Sequence, residues 1–100
     1  MDERRTRDHV QQHADAVVNG DMDAVLADFS EELRPQVPEI VQVLPQPVTS
    51  AVVLSVEIDD PVTVALIRYS GETSAVTVRS EWAEEGGRPV IVSVAPTDEG

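Results

Sequence analysis

Two histidines are the residues of this chain best suited to chemistry. His9 and His13 stand four positions apart, the spacing that puts two side chains on one face of a helix. No glutamate follows His9 directly, so the zinc-protease pattern is absent and only carboxylates could complete a metal site. His13 lies between Val10 and Val17 on the apolar side of a predicted helix. We therefore expect no metal site, a solvated His9, and a His13 that lies either at the core margin or in a pocket wall.

The acidic stretch over residues 21–32 resembles a calcium-binding loop in part of its spacing. Asp21, Asp23 and Glu32 stand at loop positions one, three and twelve. However, Leu26 occupies the position at which such a loop turns sharply and requires glycine. These acids are better explained as a helix N-cap and a solvated helix face.

An acid–base enzyme would need a carboxylate in its cavity, and two helical acids are candidates. Asp15 and Asp28 both lie near the edges of their apolar stripes, and Asp28 directly precedes Phe29. Exposed acids are common on helices, so we assign no catalytic residue from the sequence. Ser70 and Ser80 lack a nucleophile elbow or a basic partner in the surrounding sequence.

Composition excludes several classes of function. The 100 residues include no cysteine and no lysine, which rules out disulfides, thiolate catalysis and Schiff-base chemistry. A net charge of −12 argues against nucleic-acid binding, which needs clustered cations. No apolar stretch approaches the ~18 residues of a membrane span. We expect a cytoplasmic protein without a cofactor, and the codon bias implied by its composition is typical of a GC-rich bacterial genome.

The first half of the chain has the apolar spacing of helices. Val10, Ala14 and Val17 repeat at helical intervals. Gly20 is suited to end the first helix, and Asp21 is suited to be the N-cap of the second. The second helical stripe runs from residue 22 to 29. A third, short helix is predicted over about 38–44, within a proline-rich stretch.

The second half alternates with period two, which predicts four strands in an antiparallel meander over about 49–95. A two-residue turn at Gly71-Glu72 and a three-residue turn at Glu85-Gly86-Gly87 are expected, with a further turn at Asp59-Asp60-Pro61. The fold class is α+β: two to three N-terminal helices packed on a curved four-stranded antiparallel sheet, in a single domain over 1–100. The predicted core face of the sheet consists of Val52, Leu54, Val56, Ile58, Ala65, Ile67, Tyr69, Val76, Val78, Trp82, Val90, Val92 and Val94.

One segment of the helical half reads Ala16-Val17-Val18-Asn19-Gly20-Asp21-Met22-Asp23-Ala24-Val25 and is followed by Phe29 and Glu31-Glu32. This segment resembles the opening of the nuclear transport factor 2-like superfamily. The resemblance implies a cone-shaped, cystatin-like fold. The superfamily includes ketosteroid isomerase, scytalone dehydratase, limonene epoxide hydrolase and polyketide cyclases. This chain is shorter than typical members, is predicted to be helical over 35–47 where many place a strand, and is poor in the aromatic residues that line their pockets.

The resemblance also implies a pocket, because the position matching His13 often faces the family's cavity. The residues expected to line it are His13, Val17, Phe29, Tyr69 and Trp82. We therefore expect a non-enzymatic domain that binds a small apolar ligand or a protein partner. The alternatives are an isomerase, dehydratase or cyclase that uses a cavity acid with His13, and an accessory domain with a sealed cavity.

The outer face of the predicted sheet is unusually apolar. Alternation places Val53, Val64 and Leu66 there, with Arg68 and Arg79 nearby. An apolar centre with a charged rim is typical of a protein interface. The sequence therefore predicts a homodimer formed through these residues.

Overall fold

The computed structural model of the protein describes residues 3–59 and 61–97. Helices occupy the first part of the chain and strands the second. The helices are α1 (Glu3–Asn19), α2 (Met22–Ala27) and α3 (Val37–Gln42), with a 3₁₀ helix (Arg34–Gln36) directly before α3. The strands are β1 (Ser50–Asp59), β2 (Val62–Ser70), β3 (Ala75–Glu85) and β4 (Arg88–Thr97).

The four strands form one antiparallel sheet in the order β1-β2-β3-β4, and α1 packs against β1 and α2. Val10 and Ala14 of α1 are fully buried against the inner face of the sheet. The predicted α+β fold, with N-terminal helices on an antiparallel meander, is confirmed. One core lies between the two layers.

The junction of α1 and α2 follows the sequence signal. Gly20 adopts a φ of 71°, and the Asp21 side chain accepts a hydrogen bond from the Ala24 amide at 3.3 Å. However, α2 ends at Ala27, two residues before the end of its predicted stripe. The next residues run beside β4 instead, where the Ile91 amide donates to the Asp28 carbonyl at 2.7 Å. This bridge fixes Asp28 between α2 and the sheet.

The predicted alternation in β1 is wrong in its first half. Val52 and Leu54 were expected in the core but are 55% and 47% exposed. A β-bulge between Val53 and Ser55 adds one residue to the strand, so the side chains before it occupy the opposite faces from those predicted. Val53 faces Ile67 and packs against the core, which removes it from the predicted outer interface.

The β2–β3 hairpin has a four-residue loop rather than the predicted two-residue turn. Ser70 pairs with Ala75, and the Gly71 amide donates to the Ser74 carbonyl at 2.8 Å. Consequently Ile67 faces Val78 instead of Val76. A shift of two residues keeps every side chain on its predicted face of the sheet.

The β3–β4 hairpin is tighter than predicted and contains a second irregularity. Its loop is the pair Gly86-Gly87, with φ values of 62° and 82°, as a type I′ turn requires. Trp82 faces Ile91 rather than Val90, because the loop is one residue shorter than predicted, and the register then shifts between Glu81 and Trp82. Ile91 is therefore buried in the core, Val90 is buried as predicted, and Val92 is only half-buried. The turn predicted around Asp60 includes a residue outside those described.

Candidate functional site

An apolar cavity of about 220 Å³ lies between the helices and the inner face of the sheet. Its helical wall includes Val17 from α1, Val25 from α2 and Ile40 from α3. Its sheet wall includes Ile67 from β2 and Val78 from β3. The apolar stripes of three helices and the core face of the sheet thus converge on one space.

The segment after α3 closes one side of the cavity. Leu44, Pro45 and Val48 line the space directly. Gly71, in the β2–β3 loop, permits this segment to approach the sheet. A Cβ atom at Gly71 would lie 2.7 Å from Cβ of Pro45 and 3.0 Å from the carbonyl oxygen of Pro47. Glycine is required here for close contact, since any side chain would displace the cavity wall.

A network of four side chains centres on the carboxylate of Asp28. His13 Nδ1 lies 2.9 Å from Oδ2, and His9 Nε2 lies 2.9 Å from Oδ1. Arg88 donates to Oδ1 at 3.3 Å. The Asp28 side chain is only 10% exposed. One buried carboxylate therefore links α1, the end of α2 and the start of β4.

Asp28 is ionised at neutral pH. Burial by itself would raise the pKa of Asp28, but hydrogen bonds from His13 and His9 and their charges outweigh burial and hold it below 3.8. An ionised carboxylate only accepts hydrogen bonds, so both histidines must donate to it. His13 therefore carries its proton on Nδ1 when neutral, and Nε2 keeps its lone pair.

Tyr69 is the second polar group of interest in the cavity wall. Burial first, and the negative charge of Asp28 second, raise the pKa of Tyr69 well above its ordinary value of 10. The hydroxyl therefore stays protonated and can donate. Within the described residues, neither this hydroxyl nor His13 Nε2 has a hydrogen-bond partner.

Ser80 also lines the cavity, but its hydroxyl is already engaged. It accepts a hydrogen bond from Trp82 Nε1 at 2.9 Å and donates to the Ala65 carbonyl at 3.3 Å. Gln46 donates to the Val41 carbonyl at 3.1 Å. Among the buried polar side chains of the cavity wall in the described residues, His13 and Tyr69 are thus the two with unused hydrogen-bonding capacity.

The structure brings most of the predicted pocket residues together. His13, Val17, Phe29 and Tyr69 all lie in the cavity wall. Trp82 is not among the lining residues and is fully buried. The Trp82 ring packs edge-on against the rings of His9 and His13, at centroid distances of 5.8 and 5.5 Å, so it supports the histidines instead.

Sequence reasoning missed the buried network. The expectation of a solvated His9 was wrong, because its side chain is 23% exposed and bonds to Asp28. Asp15, the other candidate acid, is exposed and bonds to Gln11. The spacing of the two histidines was the available signal that both face one way. Nothing local to Asp28 shows that it meets them.

Four of the five residues predicted for an outer interface lie on the outer face of the sheet. Val64 and Leu66 lie half-buried on the outer face, with Arg68 and Arg79 exposed beside them. Val53 belongs to the inner face, as described above.

Comparisons of this chain with protein-family models, curated proteins and solved structures give no match. In the described part of the chain, no helix is long and apolar enough to cross a membrane. The same residues contain no group of three or more His, Asp or Glu side chains placed to hold a metal ion.

Proposed function

We propose that this protein binds a small, mainly apolar molecule in the cavity between its helices and sheet. The observation that carries the proposal is the apolar space itself, about 220 Å³ in a 100-residue chain. Unfilled apolar space lowers stability in proportion to its volume. An engineered cavity of about 150 Å³ lined by aliphatic and aromatic residues binds benzene. A cavity this size therefore suits an occupant somewhat larger than benzene.

Calorimetry with indane, a neutral nine-carbon hydrocarbon, tests this proposal. The wild-type protein should bind one indane per chain. Val17→Phe places a larger side chain in the cavity wall and should abolish binding. Val43→Phe is the matched control, because Val43 is 46% exposed and does not line the cavity. Equal indane binding by both variants, or none by the wild type, would refute the proposal.

Proton transfer is a second candidate function, favoured by the 2.9 Å contact between His13 Nδ1 and Asp28. In this arrangement Nε2 is the basic nitrogen available to a bound molecule. The carboxylate orients the ring and would stabilise the imidazolium that forms. An isomerase, dehydratase or cyclase that acts on a small hydrophobic substrate would use His13 in this way.

Hydrogen exchange of 2-indanone in D₂O, followed by NMR, tests for such a base. A catalyst would remove a proton from the carbon beside the carbonyl and return a deuteron. Wild type should accelerate exchange beyond the rate in buffer, and His13→Gln should not. Equal exchange rates with the two proteins would leave binding as the function and exclude His13 as a base for this ketone.

We also propose a homodimer formed through the outer face of the sheet. On this face, β1 contributes the apolar side chains of Val52 and Leu54 instead of the predicted Val53. They lie beside Val64 and Leu66 of β2. Arg79 pairs with Glu81 at 2.9 Å on the same face, which gives the patch charges of both signs. A two-fold interface brings such a patch against its own copy. A protein partner on the same face is the competing interpretation.

Light scattering of wild type and Val64→Asp distinguishes these cases. Wild type should be a dimer at tens of micromolar and the variant a folded monomer. A monomeric wild type would remove the dimer proposal.

Membership of the nuclear transport factor 2-like superfamily is likewise our proposal. It is supported by the order of elements, two helices and a short third followed by a meander, and by a cavity between the layers. A cytoplasmic location and a bacterial source stay predictions from composition.

A further inference from the structure

We infer that the molecule bound in the cavity is a neutral hydroxyl compound of roughly nine non-hydrogen atoms, held by its hydroxyl group between His13 and Tyr69. The inference rests on the proposed binding function and names its ligand class. The size follows by proportion from benzene, with six carbons in a cavity of about 150 Å³. The nature of the polar group follows from the two unpaired atoms in the wall.

Two polar groups of the cavity wall lack a hydrogen-bond partner within the described residues. Tyr69 is 4% exposed and His13 5% exposed, yet both line the cavity. Within the described residues, the Tyr69 hydroxyl and His13 Nε2 make no hydrogen bond. Neither atom is sealed off, since Thr63 Oγ1 is the only fully buried side-chain polar atom without a partner in the described residues, and a bound molecule can therefore reach both. These two atoms therefore indicate where the polar part of a ligand lies.

The two polar groups differ in what they offer a ligand. When His13 is neutral, Asp28 accepts its Nδ1 proton and the ring offers a lone pair at Nε2. The Tyr69 phenol stays protonated and offers a donor. A hydroxyl group can donate to the first and accept from the second. An ether or ketone can only accept and would leave the histidine unsatisfied.

The charges in and around the cavity wall also limit the class of ligand. In the described structure, His13 is the only titratable residue besides Tyr69 in the cavity wall, and no arginine lines it. The negative charge of Asp28, which helps to raise the pKa of Tyr69, would also repel an anion at this end of the cavity. A cation would lose its hydration among aliphatic side chains without gaining a carboxylate, because the Asp28 oxygens are held by His9, His13 and Arg88. The wall is therefore built for a neutral molecule.

Four compounds with one ring system test the inference by calorimetry at pH 7. They are indane, 5-indanol, indane-5-carboxylate and 2-aminoindane, which are respectively apolar, hydroxylated, anionic and cationic. We expect 5-indanol to bind about fivefold or more tighter than indane, the gain typical of one or two hydrogen bonds. The carboxylate and the ammonium compound should bind at least about tenfold more weakly than 5-indanol.

Tyr69→Phe provides the matched variant, since it removes only the hydroxyl. It should reduce the preference for 5-indanol over indane to about twofold or less. Failure of all four compounds to bind would overturn the proposed function. Binding of indane and 5-indanol with equal affinity, or tightest binding of an ionic compound, would overturn this inference alone.

Discussion

The two ends of the sandwich between α1 and the sheet are built from the same kinds of residue but are filled differently. At the closed end, defined by Val10, Val56, Ala65 and Trp82, these four side chains are buried and none of them lines the cavity. At the cavity end, defined by Val17, Val25, Ile67, Tyr69 and Val78, the same helix and strands surround about 220 Å³ of space.

The difference lies in where the one tryptophan is placed. Trp82 fills the closed end beneath the histidines, whereas the cavity end has mainly valine, leucine and isoleucine. His13 and Asp28 lie at the boundary between the two ends. The close-packed closed end thus supports His13 and Asp28 beside the cavity end, which is the arrangement expected of a rigid binding site.

The largest effect should come from removing the filler of the closed end. Trp82→Ala should lower the free energy of unfolding by about 4 kcal/mol, the typical cost for a buried tryptophan. Its ring is fully buried and also supports both histidines. Urea unfolding followed by circular dichroism measures the loss, and a loss below about 1 kcal/mol would contradict dense packing at this end.

A matched pair of truncations on α1 sharpens the comparison. Val10→Ala, at the closed end, should cost about 2 kcal/mol for two buried methyl groups plus a new void. Val17→Ala, two turns later in a wall that is already open, should cost less than about 1 kcal/mol. Both are measured by urea unfolding without ligand. Equal costs would mean that the two ends are packed alike.

Asp28, at the boundary, should make stability depend on pH. Its pKa is lower in the folded protein than the ordinary value, so its stabilisation is complete above about pH 5 and is lost as pH falls through the folded-state pKa. Asp28→Asn should cost about 2 kcal/mol at pH 7, because charged hydrogen bonds are lost.

Urea unfolding at pH 7 and pH 3 separates this effect from that of the other acids. The loss of stability on acidification should be smaller in Asp28→Asn than in the wild type. An identical loss in both proteins would show that Asp28 has the same pKa folded and unfolded.

The smallest effect is expected at Tyr69. A tyrosine hydroxyl that is hydrogen-bonded typically contributes about 1 kcal/mol, and its removal then costs that amount. Here the hydroxyl has no partner within the described residues, so Tyr69→Phe should change the free energy of unfolding by less than about 0.5 kcal/mol. A loss above about 1 kcal/mol, again from urea unfolding, would show that the hydroxyl is bonded within the protein.

The sequence predicts the elements well because their signals are local. Gly20 and Asp21 mark a helix junction through their own backbone and side-chain chemistry, and the change of apolar period marks where strands begin. Alternation failed in β1 because Val52, Val53 and Leu54 are all apolar, so an inserted residue leaves no mark in the pattern.

The site was only partly predictable because its key contacts are tertiary. Helical spacing correctly places His13 on the apolar side of α1, near Val17 in the cavity wall. The pairing of both histidines with Asp28 depends on where α2 ends, and that is decided by the bridge to Ile91. No local pattern reports such a bridge.

The central claim is that the cavity end is a binding site and the closed end is not. Methyl NMR spectra of the protein during titration with indane test this most directly. We expect saturable shifts of the Val17, Ile67 and Val78 methyl signals, with those of Val10 and Val56 unchanged. Shifts confined to Val52 and Leu54 on the outer face, or no saturable shift at all, would contradict it.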